Sequence, residues 1–403
     1  MNILFLSIGK LDDLSLKALY PDLVRALAQN NNMYVVTCIE KRTGKETSLS
    51  EECGCHILRI KTGDITHTSL VKKAINMMLL EKLFINAIVE YLPEIKFDLI
   101  IYSTPPINFE KVVAKIKKRD GAKSYLLLKD IFPQNAIDLQ MFSKLNPIYG
   151  YYRMKERNLY RLSDYIGCMS QGNVDYVLEH NRFISKKNVE ICPNSVEITE
   201  LQRVNKCDLD VIKKYNIPCE KVKFIYGGNL GKPQGIDFLI ETIDTLKTNE
   251  RAFFIIIGSG TEYHKLENYI QYNNPSNVRL IKELPRDDYQ RIAEQCDIGL
   301  IFLDRRFTIP NIPSRMLSYM QAAKPVLAIT DRNTDLKNII EEGKFGWWAP
   351  SGEIKAVEQC FTVVLDSEYM YESIGYNGRN YLIQNFTAKH SAEIILGHFG
   401  EDV

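Results

Sequence analysis

Short apolar runs rich in β-branched residues, each followed by a longer stretch of helical periodicity, recur along the whole chain, and this alternation constrains the fold more than any other feature. Asn2–Ser7, Met33–Cys38 (MYVVTC), Phe97–Tyr102 (FDLIIY), Lys123–Leu128 (KSYLLL) and Tyr165–Met169 (YIGCM) read as strands. Leu16–Leu27 reads as a helix with Pro21 near its start. The second half repeats the style in Phe224–Tyr226, Phe253–Ile257 (FFIII), Val278–Ile281, Ile298–Phe302 (IGLIF) and Pro325–Ile329 (PVLAI). Strands separated by helices predict α/β units with parallel sheets covered on both faces. A chain of 403 residues exceeds one small core, and domains of roughly 150–200 residues give two Rossmann-like units. The polar segment between Asn194 and Glu220, with one short helical piece, is the expected join. This gives a first domain over 1–195 and a second over 196–383, with 384–403 of the helical stretch Asn377–His398 packing back on the first.

Composition narrows the function classes. With 45% apolar and 25% charged residues and a net charge of +1, nothing in the balance points to nucleic acid as a bulk partner. Met1–Ser7 lacks a basic leader and is followed at once by Lys10, Asp12 and Asp13, so it reads as a first strand. The longest apolar stretch, Ala74–Leu92, is broken by Asn76, Glu81, Lys82, Asn86 and Glu90 and is too interrupted to span a bilayer. The nine cysteines are scattered, and Cys53-Gly54-Cys55 has no second pair at zinc spacing, so free thiols in a reducing cytoplasm are expected.

Chemistry is expected at the strand ends, because open α/β sheets bind ligands where βα loops and helix N-termini converge. In FIYGGNLGKPQG, Gly227, Gly228 and Gly231 let the backbone turn and approach an anion, and Lys232 adds a positive charge. No Gly-Lys-Ser/Thr ending follows, so this is not a P-loop. In IIIGSGTEYHKL a second strand runs into Gly258 and Gly260, and Glu262 is placed to accept from a ribose or simply to sit in a helix's first turn. In LDRRFTIPNIPSRMLSYM, Ser314 reads as an N-cap, and it and Arg315 would suit a diphosphate, with Arg305 and Arg306 nearby. Asp208-Leu209-Asp210 imitates a metal-binding Asp-x-Asp, but it precedes a helix and reads better as a cap.

Taken in order, Gly-Gly-Asn-Leu-Gly…Gln-Gly, Ile-Gly-Ser-Gly-x-Glu, Pro-Ser-Arg…Tyr-Met-x-Ala-x-Lys-Pro-Val-Leu-Ala and Gly-Lys-Phe-Gly-Trp resemble the donor half of family 4 glycosyltransferases. Lys129-Asp130-Ile131-Phe132-Pro133 and Ile191-Cys192-Pro193-Asn194-Ser195 extend the resemblance to the first half. The nearest likeness is to the bacterial subgroup that builds capsule, O-antigen and exopolysaccharide. The resemblance implies a GT-B fold, with two Rossmann-like domains facing across a cleft and a C-terminal helix crossing back to the first. It also implies a retaining transfer from a nucleotide sugar, with UDP the commonest carrier.

Two departures from the family pattern stand out. Asn229 and Gln234 occupy places where many members carry Arg and Lys, and Pro310 and Ser318 occupy the places of two glutamates. The resemblance implies donor contacts at Gly228, Asn229, Gly231, Gln234, Gly258, Gly260, Glu262, Arg305 and Ser314, with Leu284 in the loop beside the base. Asp130, Lys232 and Arg315 are the expected catalytic residues: the cations meet the leaving diphosphate, and Asp130 orients the acceptor hydroxyl or donor sugar. No cofactor or metal is expected. The implied acceptor is a polyprenyl-diphosphate-linked glycan. Ser69–Leu92, with Lys72, Lys73 and Lys82, and Ile148–Arg161 offer faces for peripheral contact with the cytoplasmic membrane. Competing readings are a nucleotide-sugar 2-epimerase of the same fold and a non-catalytic scaffold that holds a nucleotide sugar.

Overall fold

The computed structural model describes residues 1–9, 11, 13–66, 68–201 and 208–399. Lys10, Asp12 and residues 202–207 of the expected join lie outside them. The chain divides into two compact units, Met1–Glu197 with Phe386–Val403, and Ile198–Asn385.

The first unit is built on eight strands: β1 (Asn2–Leu6), β2 (Asn32–Glu40), β3 (Ser48–Glu52), β4 (Cys55–Thr62), β5 (Leu99–Thr104), β6 (Lys123–Leu128), β7 (Tyr165–Cys168) and β8 (Val189–Ile191). Their order is β3-β4-β2-β1-β5-β6-β7-β8, and every pairing is parallel except β3 with β4. β1, β5 and β6 are buried almost throughout, because helices cover both faces of a parallel sheet. Pro21 is tolerated at the third position of the helix Leu19–Ala28, where an N–H has no intrahelical partner in any case.

The helical stretch expected over Asn377–His398 is two helices, Tyr371–Asn385 and Ala388–Leu396. The break has a physical cause. Thr387 takes an extended conformation and caps the second helix by accepting from His390 N–H. Val196 bonds on either side of it, donating to Phe386 O at 3.0 Å and accepting from Ala388 N at 2.9 Å. Ala392 and Ile395 then join Ile3, Leu23 and Leu27 in the core of the first unit.

The second unit holds β9 (Val222–Gly227), β10 (Ala252–Ile257), β11 (Val278–Ile281), β12 (Ile298–Phe302), β13 (Val326–Thr330) and β14 (Gly346–Pro350). The order β11-β10-β9-β12-β13-β14 is wholly parallel, and the strand sequence reverses between β9 and β12. That is the topological switch point, where an open sheet leaves a crevice at its carboxyl edge.

β9 and β12 are paired at Ile298 with Phe224 and at Gly299 with Ile225. Beyond that point a side chain from the helix Arg315–Gln321 bridges the gap. The Tyr319 hydroxyl accepts the Gly227 N–H at 3.4 Å and lies 3.1 and 3.2 Å from the carbonyls of Ile225 and Leu300, to either of which its one proton can be donated. A Cβ on Gly299 would fall inside the Tyr319 ring, so the glycine is what lets the ring lie against the strand. Gly299→Ala is expected to lower the unfolding free energy by about 1–3 kcal/mol, the usual cost of overpacking a core, read as a lower midpoint in urea at unchanged slope.

Candidate functional site

In the second unit the loops after β9, β10 and β12 meet at the carboxyl edge beside the switch point. The β9 loop is tied to the β10 loop by backbone: Gly228 N donates to Ile257 O, Leu230 N to Ser259 O and Glu262 N to Leu230 O, each at 2.9 Å. These crossings need close approach. A Cβ on Gly258 would overlap the Gly228 carbonyl, so only glycine fits there. Gly260 faces the Leu230 carbonyl in the same way. Gly258 N also bonds Ile281 O, which draws the loop bearing the half-buried Leu284 to the same edge.

The β9 loop is braced by a neutral pair. Gln234 Oε1 accepts from Asn229 Nδ2 at 3.0 Å and from Gly231 N at 3.1 Å. The Gly231 N–H, expected to serve a ligand, is therefore used within the loop. Lys232 stands exposed next to this brace and has no ion-pair partner among the described residues.

Arg315 begins the helix after β12 and lies over the turn. Its guanidinium carbon is 4.1 Å from the centre of the Tyr226 ring, a cation–π contact. A Cβ on Gly228 would be 3.4 Å from Arg315 Nη2. Tyr226 donates its hydroxyl to Asn229 O at 2.7 Å, so the residue that carries the arginine also holds the loop. Burial raises the Tyr226 phenol pKa, and the nearby Arg315 charge partly offsets that. Arg315 Nη1 is buried and has no hydrogen-bond acceptor. Such groups are rare because an unsatisfied buried donor is costly.

One expectation, the N-cap at Ser314, is corrected here, and two more candidate residues prove to be engaged within the fold. Ser314 precedes the helix, but its backbone is helical and its hydroxyl makes no capping bond, so it is an exposed residue at the helix start. Glu262 points its carboxylate at Lys265, 2.5 Å away in the first turn of its own helix, so Lys265 already engages the group expected for a ribose. Arg306 is held by Asp304 through two bonds of 2.8 and 2.7 Å. Arg305 is exposed and lies along Gly352. Asp208 caps the helix Leu209–Tyr215 by accepting from Val211 N and pairs with Arg291 at 2.6 Å, which lowers its pKa. Among the described residues no three His, Cys, Asp or Glu side chains converge as a metal site would need.

Three tyrosines escaped the sequence reading. Tyr226 was legible only as the last residue of the strand Phe224–Tyr226, and Tyr319 only as part of the Pro-Ser-Arg…Tyr-Met pattern. Tyr289 approaches Gly227 so closely that a Cβ there would strike its hydroxyl. Burial raises the Tyr289 pKa, with Arg315 again opposing. Their common signal is spacing from Gly227 and Arg315, which means little until the strand order is known.

Asp130 belongs to the first unit, just past the end of β6. Its backbone carbonyl accepts from Thr104 Oγ1 at 3.2 Å. Its carboxyl has no hydrogen-bond partner among the described residues, and burial pushes its pKa up to about 6 from the ordinary 3.8. A raised acid pKa favours the protonated folded state. The contribution is therefore complete below about pH 4 and lost as pH rises through about 6. Asp130→Asn is expected to abolish this part of the pH dependence and to raise the melting temperature near pH 8 relative to the parent. Paired melts from pH 4 to pH 8 check it: parallel curves would show an unperturbed carboxylate.

The comparisons with known proteins agree with this architecture. Residues 209–381 match the family described as glycosyl transferases group 1. The chain is 25% identical over 298 residues to the probable glycosyltransferase WbjE of Pseudomonas aeruginosa, covering 73% of this chain and 72% of that one. It is 23% identical over 249 residues to the putative colanic acid biosynthesis glycosyl transferase WcaI of Escherichia coli, covering 61% and 60%. Among solved structures, sucrose-phosphate synthase of Thermosynechococcus elongatus superposes with a TM-score of 0.72 at 15% identity, over 98% of this chain and 97% of that one. HepE of Anabaena, in complex with UDP and glucose, superposes with a TM-score of 0.71 at 15% identity over 99% of each chain. The chain has the two-domain α/β GT-B fold, and residues 209–381 of its second unit match the glycosyl transferases group 1 family.

Proposed function

We propose that the protein is a retaining glycosyltransferase that moves a hexosyl or N-acetylhexosaminyl group from a nucleoside-diphosphate sugar to a lipid-linked glycan in cell-surface polysaccharide assembly. The observation that carries the donor half is the buried Arg315 Nη1, which lacks an acceptor and lies over the glycine turn at the switch point. A diphosphate oxygen would supply the missing acceptor and make a charge-assisted bond. A uridine carrier and the polysaccharide context rest on likeness: HepE holds UDP, and WcaI is named for colanic acid biosynthesis. The lipid-linked acceptor, a polyprenyl diphosphate, rests on the family resemblance.

In this reading the bond between the anomeric carbon and the diphosphate oxygen breaks while the acceptor oxygen bonds that carbon on the same face. The acceptor proton passes to the departing phosphate oxygen. Negative charge grows on the diphosphate, so preorganised donors aimed there lower the barrier. Arg315 is preorganised by the Tyr226 ring, and the exposed Lys232 adds a second, mobile cation. Asp130 orients the acceptor hydroxyl or the donor sugar. Two protein cations at the diphosphate make a metal unnecessary in this scheme.

Calorimetry with UDP, GDP and ADP and their monophosphates, with and without EDTA, tests the donor half. Diphosphate-selective binding unaffected by EDTA is expected. Absence of binding to any of them would favour the scaffold or an unusual donor. Arg315→Ala is expected to weaken diphosphate binding by about 1.5–3 kcal/mol, the worth of a hydrogen bond to a charged group. Unchanged affinity would remove Arg315 from the site. Asp130→Asn is expected to cut turnover far more than donor affinity, and wild-type turnover would make Asp130 structural.

A further inference from the structure

Three phenols meet around the end of β9, and two of them are engaged within the fold. Tyr319 bonds the backbone at the β9–β12 split, and Tyr226 donates to Asn229 O. Tyr289 is the third. It lies in the first turn of the helix Arg286–Gln295, where its N–H bonds Pro285 O at 3.0 Å. Its hydroxyl makes no hydrogen bond with any described residue. A tyrosine hydroxyl held within a fold ordinarily finds a partner, because an unmatched one costs desolvation.

The glycine beneath it fixes where that hydroxyl stands. A Cβ on Gly227 would overlap the Tyr289 hydroxyl, so the missing side chain admits the phenol to the carboxyl end of β9. Arg315 Nη2 lies over the next residue, 3.4 Å from where a Gly228 Cβ would stand. One turn thus carries a phenol over its first glycine and a guanidinium over its second. The two do not satisfy each other, since Arg315 Nη1 lacks an acceptor and the Tyr289 hydroxyl lacks a partner. Burial raises the phenol pKa against the opposing Arg315 charge, so the hydroxyl keeps its proton and remains a donor at neutral pH.

Packing alone does not call for this hydroxyl. Phenylalanine would fill nearly the same volume without an unmatched polar atom. A neutral donor and a cation over one turn are matched together by an anionic oxygen, which accepts from both. A cationic ligand would meet Arg315 as a like charge, and an apolar one would leave both groups unmatched.

We infer that Tyr289 is a second binding residue for the nucleoside diphosphate, its hydroxyl donating to a phosphate oxygen of the group that Arg315 binds. The inference rests on the donor reading proposed above and adds to it a neutral hydrogen bond from a different helix.

Calorimetry with UDP on the full chain compares the parent with Tyr289→Phe, a change that keeps the ring and removes only the hydroxyl. UDP affinity is expected to fall about tenfold, as for a hydrogen bond to a charged acceptor. In the Arg315→Ala background the same change is expected to cost less than about threefold, because groups that share one ligand site are coupled. Melting without ligand separates binding from packing: Tyr289→Phe should melt at or above the parent temperature, since it removes an unmatched hydroxyl. Unchanged UDP affinity, an equal loss in both backgrounds, or a ligand-free melting temperature clearly below the parent would overturn the inference. A parent that binds UDP, weakened by Arg315→Ala and not by Tyr289→Phe, removes Tyr289 alone. A parent with no affinity for UDP removes the UDP-donor reading and this inference together.

Discussion

One phenol stands between two strands that have begun to part, and the candidate donor site is organised around it. The Tyr319 hydroxyl bonds at the β9–β12 split, which locks the short helix Arg315–Gln321 against the sheet. Arg315 sits one turn earlier on that helix, so the lock also aims its guanidinium across the Tyr226 ring. A rigid helix start gives a side chain a narrower range of positions than a loop would. The crevice that any doubly wound sheet leaves at its switch point thus acquires one well-placed cation.

The surrounding polar groups are largely satisfied, and this makes the exception informative. Arg306 is engaged by Asp304, Glu262 by Lys265, and the amides of Asn229 and Gln234 by each other. Arg315 alone in this group keeps a buried nitrogen without an acceptor. A protein stabilised only for folding would gain from closing that gap. Asp130 in the first unit is also perturbed, since burial works against its ionised form. Strain of this kind tends to collect where ligands and reacting groups are handled.

Much of the fold was legible in the residues. FFIII, IGLIF and KSYLLL are buried on both faces, so their unbroken apolar runs were unambiguous. β3 was not legible, because SLSEE is an exposed edge strand with no apolar pattern. β14 was missed because glycine and paired tryptophans in GWWAP resemble a loop as much as a strand. At the site, glycines announced the loops because backbone proximity demands them. What they could not announce was each side chain's partner. Gln234, expected as a donor contact, has its side-chain oxygen bracing Gly231, because the turn brings its amide back within three residues. The tyrosines at 226, 289 and 319 come from three different elements, and only the strand order brings them together.

The helix Ala388–Leu396 has a consequence for how the chain is made. Its Ala392 and Ile395 complete the core of the first unit, yet the 188 residues of Ile198–Asn385 are translated in between (385 − 198 + 1). At synthesis rates of about 5–20 residues per second, that interval is roughly ten to forty seconds. During it the apolar patch around Leu23 and Leu27 has no cover on that side. The second unit can fold as it emerges, while the first holds an open seam until the later helix arrives. Order of completion therefore runs against order of synthesis, and this places the chain's period of greatest aggregation risk on the ribosome.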